Sequence, residues 1–241
     1  MVRPCSNGPN YKNNMILITG ASRGVGKYLL QEYVRIGEQV AGTFHTTPPD
    51  PDLADYYDKV DVTQFGEVQQ WMDTRAKSDQ LTLINCSGIS YNAFAHKSDV
   101  ALWAAVIQTN LIGTYHAIRS ALPVMRQHRY GRIINFSSVV AQKPTPGISA
   151  YVASKSALWG LSKTIATENG SLGITCNCIN LGYAEIGMGV EQVPPAFQKM
   201  IMAQIPSGKF CPPDAIFQVI EMIRATDYVN GAEIDLSGGL V

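Results

Sequence analysis

Charge imbalance, long apolar runs, a cysteine framework and metal-ligand spacing are all missing from this 241-residue chain, and each absence closes off a class of function. Lys plus Arg and Asp plus Glu stand at 19 each, so there is no basic field of the kind that nucleic-acid binding needs. No apolar run approaches the roughly 20 residues of a membrane span. Residues 1–14 are polar, carry Pro4, Gly8 and Pro9, and lack the apolar segment of a secretory signal. They read as a flexible lead-in to one domain over 15–241, long enough to bury a sizeable core. The five cysteines (Cys5, Cys86, Cys176, Cys178, Cys211) are an odd set without regular spacing, which points to free thiols in a reducing, cytoplasmic setting. Cys176 and Cys178 share one face of an expected strand and read as core. His45, His96, His116 and His128 show no ligand spacing, so no metal is expected.

What the chain does have is alternation. Apolar strand-like runs at 15–19, 39–44, 57–60, 81–85, 132–137, 174–180 and 233–236 are separated by helical patterns at 24–36, 64–77, 100–126, 151–168 and 213–224. Strands alternating with helices predict an α/β fold, a single-domain Rossmann-type doubly wound parallel sheet of about seven strands with helices on both faces. Residues 46–52, with three prolines, read as a surface loop.

Two clusters carry chemistry. The first strand runs into Gly20-Ala21-Ser22-Arg23-Gly24-Val25-Gly26 and then a helix. Glycines at 20, 24 and 26 allow a sharp turn and close backbone approach to a pyrophosphate, whose charge meets the free amides and positive dipole of a helix N-terminus. Downstream, Ser138 precedes Tyr151 and Lys155 in the run Y-V-A-S-K. Positions four apart share a helix face, so phenol and ammonium can point into one cleft, where the cation is expected to favour the phenolate near neutral pH. A Y-x-x-x-K pair also arises by chance on surface helices; the glycine turn and Ser138 supply the context that makes it an active-site pattern.

From Met15 to Leu240 the chain resembles the classical short-chain dehydrogenases/reductases. The motifs are T-G-A-S-R-G-V-G from Thr19 to Gly26, Asp61-Val62, N-C-S-G from Asn85 to Gly88, N-L-I-G from Asn110, Ser137-Ser138, Y-V-A-S-K from Tyr151, and a closing S-G-G from Ser237. Within that family it looks most like bacterial 3-oxoacyl-carrier-protein reductases. The resemblance implies a nicotinamide-dependent ketoreductase in which Tyr151 is the general acid, Lys155 lowers the Tyr151 pKa and holds the nicotinamide ribose, and Ser138 donates to the carbonyl oxygen. Asn110 would interrupt its helix and hold a water leading to Lys155. The implied cofactor contacts are Gly20, Ser22, Arg23, Gly24, Val25, Gly26, His45, Asp61, Val62, Asn85, Ser87, Gly88, Tyr151, Lys155, Gly182 and Ile186.

No acid stands between Gln39 and Pro49, where an NAD-selective member carries one for the ribose hydroxyls. The stretch at 42–47 reads G-T-F-H-T-T, and Arg23 offers a charge for a phosphate, so NADPH is favoured and NADH remains possible. Three departures stand out: Leu181 precedes Gly182 where the family has proline, Ile186 replaces a common threonine, and Ser87 replaces alanine. Residues 187–210, with Met188, Phe197, Met200, Ile201, Met202 and Ile205, read as an apolar lid over a small-molecule or carrier-bound carbonyl substrate. Leu172 occupies a place where carrier-protein reductases often have a basic residue; Arg129 and Arg132 remain for that role. An NAD(P)-dependent alcohol dehydrogenase acting on a small cyclic or sugar substrate, a catalytically silent dinucleotide-binding regulator and a structural subunit are the other readings. The resemblance implies a homotetramer with two-fold interfaces, and apolar side chains on the helices at 100–126 and 151–168, with the terminal Leu240-Val241, agree with that expectation.

Overall fold

Met15, Ile16, Leu17 and Ile18 point alternately to opposite sides of one strand, yet all four are buried, which requires cover on both faces of the sheet. The computed structural model describes residues 14–191 and 193–241 and supplies that cover. Among them, β1 (Asn14–Thr19), β2 (Gln39–Phe44), β3 (Tyr57–Lys59), β4 (Gln80–Asn85), β5 (Gly131–Ser138), β6 (Ile174–Leu181) and β7 (Glu233–Leu236) form one sheet. Its order is β3-β2-β1-β4-β5-β6-β7, and every pairing is parallel. The helices are α1 (Gly24–Arg35), α2 (Phe65–Arg75), α3 (Val100–Ile107), α4 (Gly113–His128), α5 (Ser149–Asn169), α6 (Met188–Glu191), α7 (Pro195–Met202) and α8 (Pro213–Arg224).

Each face has its own core. Val68 and Trp71 of α2, Ile118 and Ala121 of α4 and Ile165 of α5 pack over Leu17, Leu83 and Ile133. On the other face Leu29, Leu30 and Tyr33 of α1 and Ile216, Ile220 and Ile223 of α8 pack over Ile16, Ile18, Ile84 and Ile134. The three isoleucines of α8, spaced four and three apart on one stripe, are fully buried, each contributing about 1.5–3 kcal/mol. Because β2 and β4 flank β1 on opposite sides, the connections diverge beyond the carboxyl ends of β1 and β4, and a crevice opens there.

The helix expected at 100–126 is interrupted around Asn110, as α3 and α4 joined by a π-helical turn, Gln108–Ile112. Two expectations need correction. Residues 46–52 are only partly loop, since Pro51–Tyr56 winds into a 3-10 helix. Asn14 is not lead-in: it opens β1, and its amide donates to Thr82 Oγ1 at 3.4 Å. The rest of the expected lead-in, with Cys5, lies outside the described residues.

Candidate active site

A cleft of about 570 Å³ opens at the carboxyl ends of β1, β4, β5 and β6. At one end backbone packs on backbone. Gly20 has φ +66°, and a Cβ there would lie 2.7 Å from Ser87 Cα. Gly24 has φ +53°, and its Cβ would lie 3.0 Å from the Cα of Gly187. Only glycine permits both the left-handed backbone and these approaches. The turn leaves the N-terminus of α1 facing the cleft with no acid in its first turn, a cradle suited to a pyrophosphate. Ser22 and Val25 line the same wall, while the Arg23 guanidinium lies across to the Gly88 carbonyl at 3.5 Å.

Farther along this wall Asp61 Oδ1 accepts from the amide and hydroxyl of Thr63 at 2.9 and 2.8 Å, which caps the turn into α2. Its other oxygen is 3.9 Å from His45 Nε2, an ion pair whenever the imidazole is protonated. Val62 lines the cleft, and its carbonyl accepts from His116 Nδ1 at 3.0 Å. Since a carbonyl only accepts, Nδ1 carries the proton.

At the opposite end side chains converge from two elements. Ser138 ends β5, its Oγ accepts from the Val140 amide at 3.4 Å, and it shares the cleft with the Tyr151 phenol. Lys155, one turn beyond Tyr151 on α5, is buried and donates from Nζ to the Phe136 carbonyl at 2.6 Å. Nζ lies 5.6 Å from the centre of the Tyr151 ring. Burial pulls Lys155 down to about 8, opposed by the thiols of Cys86 and Cys178. Burial also pushes Tyr151 up to about 12, against the downward pull of the Ser138 hydrogen bond. Burial thus works against the expected neutral-range phenolate, Ser138 works for it, and the Lys155 ammonium is engaged by a carbonyl.

Asn110 stands in the π-helical turn, as an interruption there requires, but behind the cleft wall. Its amide donates to the Ile89 carbonyl at 2.9 Å and to Ser154 Oγ at 3.0 Å, and its oxygen accepts from the Ile89 amide at 2.9 Å. Thr114 Oγ1 donates to the Asn110 carbonyl at 2.8 Å, at the point where the wider turn disturbs the helical ladder. Asn85 is also behind the cleft. Its neighbours in register are Thr19 and Asn135, and its side chain hydrogen-bonds both, at 3.4 and 2.8 Å, inside the sheet.

Residues 14–195 match the profile of the short chain dehydrogenases. The chain belongs to that family. It is 28% identical over 242 residues to the 3-oxoacyl-acyl-carrier-protein reductase FabG of Pseudomonas aeruginosa, covering 95% of this chain and 98% of the relative. FabG of Thermotoga maritima is 31% identical over 245 residues, with shares of 95% and 98%. The acetoacetyl-CoA reductase of Shinella zoogloeoides is 30% identical over 239 residues, with shares of 94% and 98%. This short-chain dehydrogenase is an oxidoreductase that uses a nicotinamide dinucleotide, and the glycine cradle fits such a group.

The dehydrogenase carries its departures without disrupting the wall. β6 runs one residue farther than expected, through Leu181, which pairs with Ser138 on one side and Leu236 on the other, whereas a proline would lack the amide. Gly182 donates to the Leu236 carbonyl at 2.9 Å, and Ile186 packs into the apolar core beneath the cleft. The lid segment forms α6 and α7, and its ends are stitched by the Cys211 amide donating to the Tyr183 carbonyl at 2.8 Å. Of its expected apolar contacts only Met188 lines the cleft; Phe197 and Met200 are 55% and 53% exposed, and Ile205 is buried.

Ser90, Asn92, Val140, Ile148, Tyr183 and Val193 also line the reactive end, and sequence reasoning named none of them as site residues. The available signal was position, since Ser90 and Asn92 follow β4, Val140 follows β5 and Tyr183 follows β6. Arg132 is corrected as well: it is buried in β5 and donates to the carbonyls of Arg224, Gly131 and Gly173. Arg129 donates to the Ser171 carbonyl at 2.9 Å. Among the described residues no helix is long and apolar enough to cross a membrane, and no cluster of metal ligands occurs.

Proposed function

We propose that this dehydrogenase is an NADPH-dependent carbonyl reductase that converts 3-oxoacyl thioesters to their 3-hydroxy forms in the cytoplasm. The observation that carries the reading is the convergence of Ser138, Tyr151 and Lys155 in the cleft that begins at the glycine cradle. Gly20, Gly24, Gly26 and the amides opening α1 would hold the pyrophosphate, Asp61 and Val62 the adenine end, and Lys155, Gly182 and Ile186 the nicotinamide end. Bound there, the cofactor supplies the reducing equivalents. Tyr151, with a pKa pushed up to about 12, is protonated at neutral pH and is therefore suited to donate its proton to the developing alkoxide. Ser138 would donate to the same oxygen and disperse its charge.

NADPH is supported by the absence of an acid from Gln39 to Pro49 and by Arg23 and His45 at the ribose end. A thioester is supported by the names of the relatives, which include both a carrier-protein and a coenzyme A reductase. Arg132 is buried, whereas Arg129 is exposed and keeps its charge beside the Ser171 carbonyl, so the carrier-bound and coenzyme A thioesters are tested side by side. Ser90 and Asn92 give a second reading some support, because uncharged polar groups at the reactive end also suit a cyclic or sugar alcohol. Exposed Val100, Leu102 and Tyr115 on α3 and α4 support a homotetramer, although Val106, Leu158 and Ile165 are already used inside the chain.

The test is NADPH and NADH oxidation with acetoacetyl-coenzyme A, the carrier-bound form, cyclic ketones and ketoses in parallel, with NADPH binding measured alone. Turnover of acetoacetyl thioesters with NADPH is expected. Binding without turnover of any carbonyl would identify a silent regulator instead. Light scattering at micromolar concentration reads the assembly, and an active species of 26.2 kDa would remove the tetramer.

A further inference from the structure

Asp235 is exposed on β7, yet one of its carboxylate oxygens receives two short side-chain hydrogen bonds. Asn180 Nδ2 donates to Oδ1 at 2.7 Å, and Gln142 Nε2 donates to the same atom at 2.6 Å. Asn180 is fully buried on β6, and its own oxygen accepts from Trp159 Nε1 at 2.8 Å. Trp159 lies on α5, the helix that carries Tyr151 and Lys155. Gln142 follows the 3-10 turn Val139–Ala141, the turn whose Val140 amide donates to Ser138 Oγ. One path of hydrogen bonds thus leaves the helix of Tyr151, crosses β6 and β7, and returns to the turn that orients Ser138.

An exposed glutamine ordinarily keeps its rotamer freedom, and immobilising it is unfavourable. Short bonds to a carboxylate are the strong kind that offset such a loss. Asn180 is placed to transmit the constraint, because it accepts from α5 and donates to Asp235 through its two amide atoms. The proposed roles of Ser138 and Tyr151 depend on that alignment, since both line the cleft and the Val140 amide of this turn donates to Ser138 Oγ.

We propose that Asp235 is a positioning residue: with Asn180 it pins Gln142, and so holds Ser138 in register with Tyr151. This rests on the roles given to Ser138 and Tyr151 above. The test combines hydrogen exchange across the turn, measured on the free protein, with kcat and KM for NADPH and acetoacetyl-coenzyme A. In Asp235→Leu and in Gln142→Leu, exchange at the amides of Val140, Gln142 and Lys143 should quicken. Turnover should fall about tenfold, the worth of one well-placed charge-assisted bond, with KM for NADPH unchanged. The double variant should be no worse than either single one. Asp235→Asn, whose amide oxygen accepts both bonds, should recover most of the loss. Unaltered exchange and turnover in Gln142→Leu, or equal losses in Asp235→Asn and Asp235→Leu, would overturn the proposal. Gln142 is on the surface, so its variant decides the matter even if Asp235→Leu does not fold. A wild-type protein that reduces no carbonyl defeats the catalytic reading and the positioning role with it, while the exchange data still report whether the brace holds the turn.

Discussion

At the pyrophosphate end of the cleft, Gly20 lies against Ser87 with no room for a Cβ and Gly24 lies close against Gly187; at the reactive end, Ser138, Tyr151 and Lys155 reach inward from β5 and α5. The first surface is defined by atoms that are missing, and it fails when atoms are added. The second is defined by functional groups and fails when they are removed. Backbone packing of the first kind leaves almost no tolerance, because neither partner can rotate away. Side chains of the second kind depend on supports such as the Phe136 carbonyl beneath Lys155.

The strongest probe of this contrast is Tyr151→Phe, which keeps the ring and removes only the transferable proton. Turnover should drop by about 10² to 10⁴, with NADPH affinity retained, as read by steady-state kinetics and cofactor titration. Undiminished turnover would reject Tyr151 as the acid. Gly20→Ala should act the other way, adding one methyl group. A left-handed φ together with a 2.7 Å approach to Ser87 should lower stability by on the order of 3 kcal/mol and loosen cofactor binding, measured by urea denaturation and titration. A folded Gly20→Ala protein with normal affinity would show that the cradle is softer than its contacts imply.

Arg23→Ala lies between the two cases, since the residue sits in the backbone cradle but would act through charge. NADPH binding should weaken by about 1.5–3 kcal/mol while NADH binding is nearly unchanged. Equal losses for both cofactors would leave Arg23 only a scaffold role, consistent with its bond to the Gly88 carbonyl.

The smallest expected effect is a pH dependence from Lys155. Burial lowers its pKa to about 8, below the ordinary lysine value of 10.5, so between these values the unfolded chain binds the extra proton and folding is favoured as pH rises. The penalty is fully present below pH 8 and fades toward the ordinary value. Relative to Lys155→Met, wild-type stability should therefore gain on the order of 2 kcal/mol between about pH 7.5 and 10. A stability difference that stays flat across that window would mean that Lys155 is not held in the surroundings described.

Much of this molecule was legible in the chain because its signals are local. The run from Met15 to Gly26 encodes a buried strand, a glycine turn and a helix start within a dozen residues, and all three formed where expected. Long-range partnerships were not legible. Asn85 read as a cofactor contact because its motif adjoins the cleft, but pairing in register with Thr19 and Asn135 turns its amide into the sheet. Arg132 read as a surface cation until the carbonyls of Gly173 and Arg224, from two distant segments, and of its neighbour Gly131 enclosed it. The lid methionines were visible in the sequence, but which of them faces inward depends on how α6 and α7 sit.

Taken by itself, the sequence determined the α/β alternation, the glycine cradle and the helical spacing of Tyr151 and Lys155, since each depends on neighbours a few residues apart and on backbone preferences that act anywhere. Only the tertiary structure set the burial that pushes Tyr151 up and Lys155 down, which no local pattern encodes. It alone brought Gly187 onto Gly24, and it alone joined Trp159, Asn180, Asp235 and Gln142, residues from four segments, into one hydrogen-bonded path. Desolvation and side-chain hydrogen bonding are properties of assembled surroundings, and those surroundings exist only once the sheet has closed.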